Sequence, residues 1–541
     1  MSDVPRVRRN DWSPLRVPEL GCWQPTLPVS VVIPAHNCQP SLDLTLAALA
    51  RQTYPAHLLE VVVVDDGSEP PLRLPPVCPA NCRLVRAQEH AAGWGRANAL
   101  AVGAGLSDGD VIHWLDADML VFPDHVEAQA RWHHQVPYAV TLGWKRFVDV
   151  RPGAPGWPSP EAVVEAAEQG VVDRLFDLGA SEPHDYIEKL IRRTDELRAG
   201  DHLNFMAHVG ATAALRRELY QAAGGLAREL RLGEDTEFGY RLAQAGALFV
   251  PEPESRSWHL GRTHMMRHAA QLQRYNRPFL ADLMPHPRWL RRVGGSGWAV
   301  PLVTVVVEVA GQPLEVVRAA VDAILANDET DLRVHLVGAW GAITEERRSV
   351  LADPLLDLRL IAATYRSDPR VRLVEQAPDT AFPSPYLLTV PVTCGLGRSA
   401  IRRMVEAADA QQAGLVRVPV PGGDAVVELW RTAAVSRARW VRRDDESLAE
   451  AVADVYGVRT LPADAVGVID LSGYEPAQLA GGIGAAAEGV HRPGRLLPAS
   501  VEVAGVRSLA RAAVLVGRLS VARAAARMRR LRDARRRGEM T

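Results

Sequence analysis

The stretch Asp110-Val-Ile-His-Trp-Leu-Asp-Ala-Asp118 is a short apolar run that ends in two carboxylates one residue apart. A run of this kind predicts a buried β-strand with its acids at the carboxyl end. Because side chains alternate faces along a strand, Asp116 and Asp118 point the same way and repel each other unless a cation lies between them. Such oxygen ligands suit Mg²⁺ or Mn²⁺. The stretch therefore predicts a metal site, and a solvated Asp pair in a loop is the alternative.

Two further predicted strands also end in polar residues. Val29-Ser-Val-Val-Ile-Pro34 runs into Ala35-His36-Asn37, and Glu60-Val-Val-Val-Val64 runs into Asp65-Asp66-Gly67-Ser68. Helical apolar spacing follows each of them, at Leu42–Ala50 and at Gly95–Leu106. This alternation predicts an α/β fold with a parallel sheet covered on both faces. Ligands bind beyond the carboxyl ends of such strands, so the three polar ends together predict a site more strongly than Asp-x-Asp alone.

Six motifs carry a resemblance to a known family. They are VSVVIPAHN, VVVVDDGS, GRANALAVG, the Asp-Ala-Asp, GATAALRRELYQAAGG and GEDTEFGYRLAQAG. In order and spacing they resemble the inverting glycosyltransferase family 2, whose members use nucleotide sugars and have the GT-A fold. The resemblance covers residues 28 to 280 approximately. Each motif alone is weak, whereas the six together are specific.

The resemblance implies a donor site at the strand ends. Asp65 or Asp66 would accept a hydrogen bond from the base or ribose, although a capped turn after a strand is the alternative reading of this pair. Asp116 and Asp118 would face the ribose and a Mn²⁺ or Mg²⁺ ion, with Asp118 the surer ligand, and the ion would neutralise the leaving diphosphate. The residues implied to line the base and ribose are Pro34, His36, Asn37 and Arg96.

Gly233-Glu234-Asp235 opens a predicted helix. Acids in the first helical turn favour the helix dipole, so capping is one explanation. Inverting transfer also needs a carboxylate that takes the proton of the acceptor hydroxyl. The family places this general base at the Asp of Glu-Asp, which implies Asp235 as the catalytic residue, with Glu234 beside it.

Three further features have two interpretations each. Gly210-Ala-Thr-Ala-Ala214 would let backbone amides approach the sugar or phosphate, or would pack tightly against a helix. His259 follows a predicted short strand at Leu248–Val250 and is either a third metal ligand, as in some relatives, or a surface histidine. Gln271-Leu-Gln-Arg274-Tyr275 resembles the Gln-x-x-Arg-Trp motif of processive synthases, in which Arg274 would touch the diphosphate. Tyr in place of Trp argues against processivity. Residues 144–205 lie where the family varies and meets its acceptor.

A second, eroded copy of the fold is predicted after the Gly294–Gly297 linker. Thr304–Val307, Leu332–Gly338 and Tyr386–Thr393 overlay the three strands, and the acids of the first copy are lost, with Gly338, Ala339, Pro391 and Thr393 in their places. Asp444-Asp445-Glu446 still resembles Gly-Glu-Asp. We therefore predict an arm (1–27), a catalytic GT-A domain (28–292), a linker (293–300), a degenerate, catalytically dead GT-A-like domain (301–465), and an Ala/Gly-rich segment with a basic C-terminal helix (466–541).

Composition limits the class of protein. A chain of 541 residues predicts two or three domains, and 47% hydrophobic residues with a net charge of −2 do not imply a nucleic-acid partner. Five scattered cysteines favour a reducing compartment, and no signal peptide or long apolar run is present, so we expect a cytoplasmic protein. The basic helix at Leu509–Arg537 is either solvated or a peripheral contact with an anionic membrane.

These observations favour an inverting, metal-dependent glycosyltransferase. It would move a sugar from a UDP- or GDP-sugar to a hydroxyl of a glycan, a lipid-linked acceptor or a small molecule. A sugar nucleotidyltransferase is one alternative, but such enzymes usually carry a Gly-rich, basic loop after the first strand, where this chain has Pro34-Ala-His-Asn-Cys-Gln-Pro40. A non-catalytic carbohydrate-binding or scaffold protein is the other, and the intact acids argue against it.

Overall fold

The computed structural model describes residues 4–479 except Val293. Helices and strands are labelled here in chain order. The strands of the first sheet are β1 (Val29–Ala35), β2 (Leu59–Asp65), β3 (Cys82–Arg86), β4 (Val111–Leu115), β5 (Met119–Val121), β6 (Ala139–Val148), β7 (Glu182–Pro183), β8 (Thr212–Arg216) and β9 (Leu248–Leu260). Its helices are α1 (Gln39–Leu49), α2 (Ala87–His90), α3 (Arg96–Leu106), α4 (His125–His133), α5 (Pro160–Glu168), α6 (Asp185–Arg193), α7 (Arg217–Ala222), α8 (Glu234–Gln244) and α9 (His264–Leu283).

The first sheet has the strand order β3-β2-β1-β4-β8-β6-β9-β5, with β7 paired to β6. The first four strands are parallel, β8 runs antiparallel to β4 and β6, and β9 is parallel to β6. Val31 and Val63 pack into the core on the α1 face, whereas Val32 and Val62 pack into the core on the α3 face. The predicted α/β class with a sheet covered on both faces is confirmed.

One local prediction was wrong. The strand predicted at Leu248–Val250 continues to Leu260, so that His259 lies inside β9 rather than after it. Strand length here is set by pairing with distant strands, which a local apolar run does not reveal. The second half of Gly210–Ala214 begins β8, which hydrogen-bonds to β4 and β6, and its Thr212 also contacts His125 and Gln129 of α4.

A second sheet follows. Its strands are β10 (Val303–Glu308), β11 (Leu332–Val337), β12 (Val371–Val374), β13 (Tyr386–Thr389), β15 (Leu415–Pro419), β16 (Val426–Arg431) and β17 (Val458–Thr460). Two further strands, β14 (Cys394–Leu396) and β18 (Val468–Asp470), form a separate two-stranded sheet. The helices are α10 (Leu314–Leu325), α11 (Leu356–Tyr365), α12 (Ala400–Gln411), α13 (Thr432–Val441), α14 (Leu448–Val455), α15 (Ala463–Val466) and α16 (Pro476–Leu479).

The second sheet repeats the topology of the first. Its order, β12-β11-β10-β13-β16-β15-β17, places strands of the same direction in the same succession as β3-β2-β1-β4-β8-β6-β9. Val29 pairs with Leu59 and Val111 in the first sheet, as Val303 pairs with Leu332 and Tyr386 in the second. Counted from these pairs, Pro391 and Thr393 occupy the positions of Asp116 and Asp118.

Residues 4–27 of the N-terminal arm form no helix or strand, and they pack against both sheet domains. The side-chain amide of Asn10 donates to the carbonyls of Leu197 and Phe249 in the first domain. Arg437 of the second domain donates to the carbonyls of Val7 and Arg9 in the arm. The arm therefore joins the two domains.

The predicted basic helix at Leu509–Arg537 lies outside the described residues. Within residues 4–479, no helix combines the length and apolarity that crossing a bilayer requires.

Candidate active site

The carboxyl ends of β1 and β2 lie side by side, because Ala35 pairs with Asp65. Asp65 is fully buried, and its carboxylate accepts hydrogen bonds from the amides of Ser68 (2.8 Å) and Leu72 (3.2 Å). Burial alone would raise the pKa of Asp65, but the hydrogen bonds from Ser68 and Leu72 hold it below its ordinary value. Both oxygens of Asp65 thus accept hydrogen bonds that close a turn after β2, which agrees with the capped turn given above as the alternative to donor binding.

Asp66 has a free oxygen. Its Oδ2 accepts a hydrogen bond from the amide of Gly95 at 2.6 Å, whereas Oδ1 is buried without a partner among the described residues. Burial raises the pKa of Asp66, with the Gly95 amide opposing it. A buried acceptor without a hydrogen bond lowers the stability of the fold, so Oδ1 is a candidate for accepting a hydrogen bond from an N–H or O–H of a ligand.

Three more of the predicted donor residues stand at the end of β1. Pro34 pairs with Val64 inside the sheet, and His36 and Asn37 follow it as exposed residues. The Asn37 amide donates to Ser68 Oγ at 2.9 Å, and its side-chain oxygen accepts from the amide of Glu69 at 2.9 Å. The turns after β1 and β2 are therefore held against each other, with open surface at His36 and Asn37.

Arg96 occupies the centre of the site. Its guanidinium donates to Asp116 Oδ1 at 2.8 and 3.0 Å, to Glu234 Oε1 at 2.9 Å and to the Gly210 carbonyl at 2.5 Å. A Cβ at residue 210 would lie 2.5 Å from the guanidinium nitrogens, so the absence of a side chain at Gly210 makes room for Arg96. Arg96 therefore joins the Asp-x-Asp stretch to the start of α8.

Asp116, Asp118 and His259 form a candidate metal site. One ligand atom from each lies within 4.8 Å of the others, and Asp118 Oδ1 is 3.7 Å from His259 Nε2. Asp118 Oδ1 is buried without a hydrogen-bond partner in the described part of the chain, and burial raises the pKa of this carboxyl. Two carboxylates and an imidazole, with one buried carboxylate oxygen that lacks a hydrogen-bond partner, fit a divalent cation such as Mn²⁺ or Mg²⁺.

The antiparallel pairing of β5 with β9 explains the position of His259. Met119, the residue after Asp118, pairs with His259, and the Asp118 carbonyl accepts the amide of Leu260 at 2.8 Å. The ring of Phe147 packs on the imidazole with centroids 4.8 Å apart. The third candidate ligand is thus brought to the first two by a long-range strand pair.

Asp235 lies in the first turn of α8, directly after Glu234. Gly233 precedes the helix in a left-handed conformation (φ 78°) and takes the N-cap position, so Asp235 is not the cap. Asp235 Oδ1 accepts the Thr236 amide at 2.7 Å, and Oδ2 lies 3.4 Å from the Gly210 amide. Glu234 is 5% exposed and bound to Arg96, and burial raises its pKa. Glu234 therefore positions Arg96, whereas Asp235 is partly open.

Two residues near Asp235 were not predicted. Lys145, on β6, is 5% exposed, and burial lowers its pKa to about 8. The negative charges of Asp116, Asp235 and Glu188 oppose this decrease. His208 is 1% exposed, and its Nδ1 donates to the Asp235 carbonyl at 2.8 Å. A signal for Lys145 was available: the chain uses lysine only at 145 and 189 among 62 basic residues.

Arg274 makes none of these contacts. It is exposed on α9, and no hydrogen bond or ion pair joins it to the other predicted site residues within the described ranges. The structure brings together Asp66, Arg96, Asp116, Asp118, Gly210, Glu234, Asp235 and His259.

Comparison with known families found one match. Residues 30–223 match the family model described as Glycosyl transferase family 2, so the chain contains a domain of this family, as predicted. Asp235 and His259 lie beyond the matched segment.

Two curated relatives are named Validoxylamine A glucosyltransferase. One, from Streptomyces hygroscopicus subsp. limoneus, is 30% identical over 258 residues, which cover 45% of this chain and 53% of the relative. The other, from Streptomyces hygroscopicus subsp. jinggangensis (strain 5008), is also 30% identical, over 45% of this chain and 57% of its own length. The chain thus spans about half the length of these relatives.

Similar solved structures include the mannosyltransferase PcManGT from Pyrobaculum calidifontis in complex with GDP-Man and Mn²⁺. It is 20% identical with a TM-score of 0.28, over 46% of this chain and 61% of the other. GalNAc-T7 with UDP, GalNAc and Mn²⁺ is 18% identical with a TM-score of 0.31, over 46% and 48%.

Proposed function

We propose that the protein is an inverting, divalent-metal-dependent glycosyltransferase. It moves a sugar from a UDP- or GDP-sugar to a hydroxyl group of a glycan, a lipid-linked acceptor or a small molecule. One observation carries this proposal: Arg96 joins Asp116, one of the three candidate metal ligands, to Glu234, the neighbour of the partly open Asp235.

The donor binds at the ends of β1, β2 and β4. The free Oδ1 of Asp66 accepts a hydrogen bond from the base or ribose, beside the exposed surface of His36 and Asn37. Arg96 fixes Asp116 and Glu234 and contributes positive charge next to the leaving group. Asp118 and His259, with Asp116, would hold Mn²⁺ or Mg²⁺, which supplies Lewis-acid stabilisation of the departing diphosphate.

Asp235 acts as the general base. Its carboxylate takes the proton of the acceptor hydroxyl while that oxygen attacks the anomeric carbon from the face opposite the diphosphate. A new carbon–oxygen bond forms, and the bond to the diphosphate breaks, with its electron pair staying on the phosphate oxygen. The configuration at the anomeric carbon is inverted as a result.

The second domain has a supporting role in this proposal. Arg437 donates to the carbonyls of Gly246 (2.5 Å) and Ala247 (2.7 Å), just after α8, and Tyr240 in α8 donates to the Pro383 carbonyl at 2.6 Å. These contacts hold the helix whose first turn carries Asp235. Glu446, the nearest counterpart of the acids at Glu234 and Asp235, forms an ion pair with Arg6 of the arm. The second domain is thus a catalytically silent support.

Nucleotide release tests the proposal. The full chain is incubated with a panel of UDP- and GDP-sugars with Mn²⁺ or with EDTA, first without an acceptor and then with validoxylamine A, the compound in the names of the two relatives. We expect slow, Mn²⁺-dependent release of UDP or GDP from one donor. Release of pyrophosphate from a nucleoside triphosphate and a sugar phosphate would instead indicate a sugar nucleotidyltransferase, and no turnover of any donor would indicate a non-catalytic binding protein.

A further inference from the structure

A second group of metal-ligating side chains lies where the two sheet domains meet. His202, between α6 and β8, and His286, after α9, belong to the first domain, whereas Asp409 lies on α12 of the second. One ligand atom from each of the three lies within 4.8 Å of the others. The proposed transfer uses none of these residues. The group therefore needs an explanation of its own.

The two imidazoles of this group lack the hydrogen bonds that buried rings need. His286 is 2% exposed, and neither of its ring nitrogens has a hydrogen-bond partner in the described part of the chain. Nδ1 of His202 is likewise buried without a partner there, and its separation of 3.6 Å from Oδ1 of Asp409 is too long for a hydrogen bond. Buried polar groups are nearly always hydrogen-bonded, so these three nitrogen atoms indicate a missing ligand.

The distances within the group suit one small ion. In a tetrahedral site with metal–ligand bonds of about 2.0–2.1 Å, neighbouring ligand atoms lie about 3.3 Å apart. The 3.6 Å between His202 Nδ1 and Asp409 Oδ1 is close to this value, and the rings of His202 and His286 have centroids 4.4 Å apart. The two histidines also line a cavity of about 50 Å³. This cavity has room for an ion and a water molecule.

The charges around the group select the kind of metal. Arg431 Nη2 donates to Oδ1 of Asp409 at 3.0 Å, and the hydroxyl of Tyr386 donates to the same oxygen. These two donors fix the carboxylate in place, but the charge of Arg431 also offsets the charge of Asp409. The ligands therefore carry little net negative charge, which disfavours Mg²⁺ and Ca²⁺, because these ions prefer several oxygen ligands. Two imidazoles and one carboxylate suit Zn²⁺.

We propose that His202, His286 and Asp409 bind one Zn²⁺ ion, with water as the fourth ligand, and that this ion joins the two sheet domains. The bound water donates hydrogen bonds, and the cavity offers two buried acceptors that lack partners among the described residues, Asn204 Oδ1 and Gln244 Oε1. The ion stabilises the folded chain, because the unfolded chain does not hold the three ligands together. This inference is independent of the proposed function.

Zinc binding to the full chain tests the proposal. The proposed donor site would also take Zn²⁺, so the measurement uses Asp118→Ala, in which that site has lost a ligand. We expect calorimetric titration of metal-free Asp118→Ala with Zn²⁺ to show one tightly bound ion. Adding His286→Gln should weaken this binding by more than about 100-fold, because loss of even an outer-shell partner costs about 10–100-fold. Adding His57→Gln instead, which changes an exposed histidine, should leave the affinity unchanged.

Spectroscopy of Asp118→Ala provides a readout that needs no substitution among the three ligands. Co²⁺ in place of Zn²⁺ should give the visible absorption of a four-coordinate ion, and X-ray absorption of the Zn²⁺ form should show two imidazole nitrogens at about 2.0–2.1 Å. Zn²⁺ should also raise the midpoint of thermal unfolding, and EDTA should reverse this rise. The absence of a tightly bound ion in Asp118→Ala, or an ion without imidazole ligands, would overturn the proposal and leave only water in the cavity. Equal Zn²⁺ affinity after His286→Gln would overturn it as well.

Discussion

The two sheets of this protein share strand order, strand direction and register, but they differ at the carboxyl ends of corresponding strands. The first sheet has Asp65, Asp116 and Asp118 at these ends, where the second has Gly338, Pro391 and Thr393. Their cores are built alike, from buried valines of parallel strands. The comparison teaches that one topology can carry different side chains at its edge, and the proposed site depends on those of the first sheet.

The two sheets also differ in what surrounds the carboxyl ends of β2 and β11. Trp340 follows β11, and its indole N–H donates to the carbonyls of Leu336 and Val374, both at 3.0 Å. A Cβ at Gly338 would lie 3.2 Å from this indole. The end of β11 is thus covered by an aromatic ring, whereas at the corresponding end of β2 the buried Oδ1 of Asp66 has no hydrogen-bond partner among the described residues.

The largest expected effect comes from the paired positions 118 and 393. Asp118→Ala should lower transfer by about 10³-fold or more and abolish the Mn²⁺ dependence of nucleotide affinity, because the remaining ligands cannot hold the ion. Thr393→Ala, at the corresponding position, should leave both unchanged. Titration of nucleotide with and without Mn²⁺ measures this, and a retained Mn²⁺ dependence in Asp118→Ala would remove the metal assignment.

The next effect concerns the contact between the domains. Arg437 is fully buried and donates to carbonyls of Val7, Arg9, Gly246 and Ala247. Arg437→Met should lower the free energy of unfolding by about 3 kcal/mol, since these acceptors lose a charged donor. Chemical denaturation measures the loss. Arg439→Met, on the same helix, is the control, and an equal loss in both variants would show that Arg437 has no special part in joining the domains.

Acid should destabilise the first domain before the second. Burial lowers the folded-state pKa of His125 to about 4 and of His133 to about 3, below the ordinary histidine value of 6.5, so protonation favours the unfolded chain. The contribution of the two histidines to the free energy of unfolding is complete above about pH 6.5 and is lost as the pH falls toward their folded-state pKa values. At pH 5 the loss is about 2 kcal/mol for each residue. Residues 301–479 contain one histidine, His335. Hydrogen exchange at pH 5 should therefore open β1–β4 before β10–β13, and the reverse order would contradict this account.

The smallest expected effect is at Glu446. This carboxylate binds Arg6 near the surface, so Glu446→Gln should cost under about 1 kcal/mol of stability and leave turnover within about twofold. Thermal unfolding and nucleotide release, measured on one preparation, check both values. A large loss of turnover with unchanged unfolding would show that the second domain takes part in the chemistry.

Parts of the fold and site were accessible from the sequence because their signals are local. The apolar runs of β1, β2 and β4 and the Gly-Glu-Asp at the start of α8 predicted those elements and the acids at their ends. The place of His259 was not accessible in the same way, since it depends on the pairing of β5 with β9. Arg96 meets Glu234 across 138 residues of sequence, a contact that packing determines and spacing does not show.

The central claim is that Asp235 of the first domain performs the proton transfer, and one substitution tests it most directly. Asp235→Asn keeps the shape of the side chain but cannot accept a proton at neutral pH. We predict that transfer falls by roughly 10²–10⁴-fold while nucleotide affinity with Mn²⁺ stays unchanged, because the proposed donor site is formed by Asp66, Asp116 and Asp118 and not by Asp235. Glu446→Gln, at the position in the second domain that corresponds to Asp235, is the matched control and should transfer nearly as wild type. Near wild-type transfer by Asp235→Asn would contradict the mechanism.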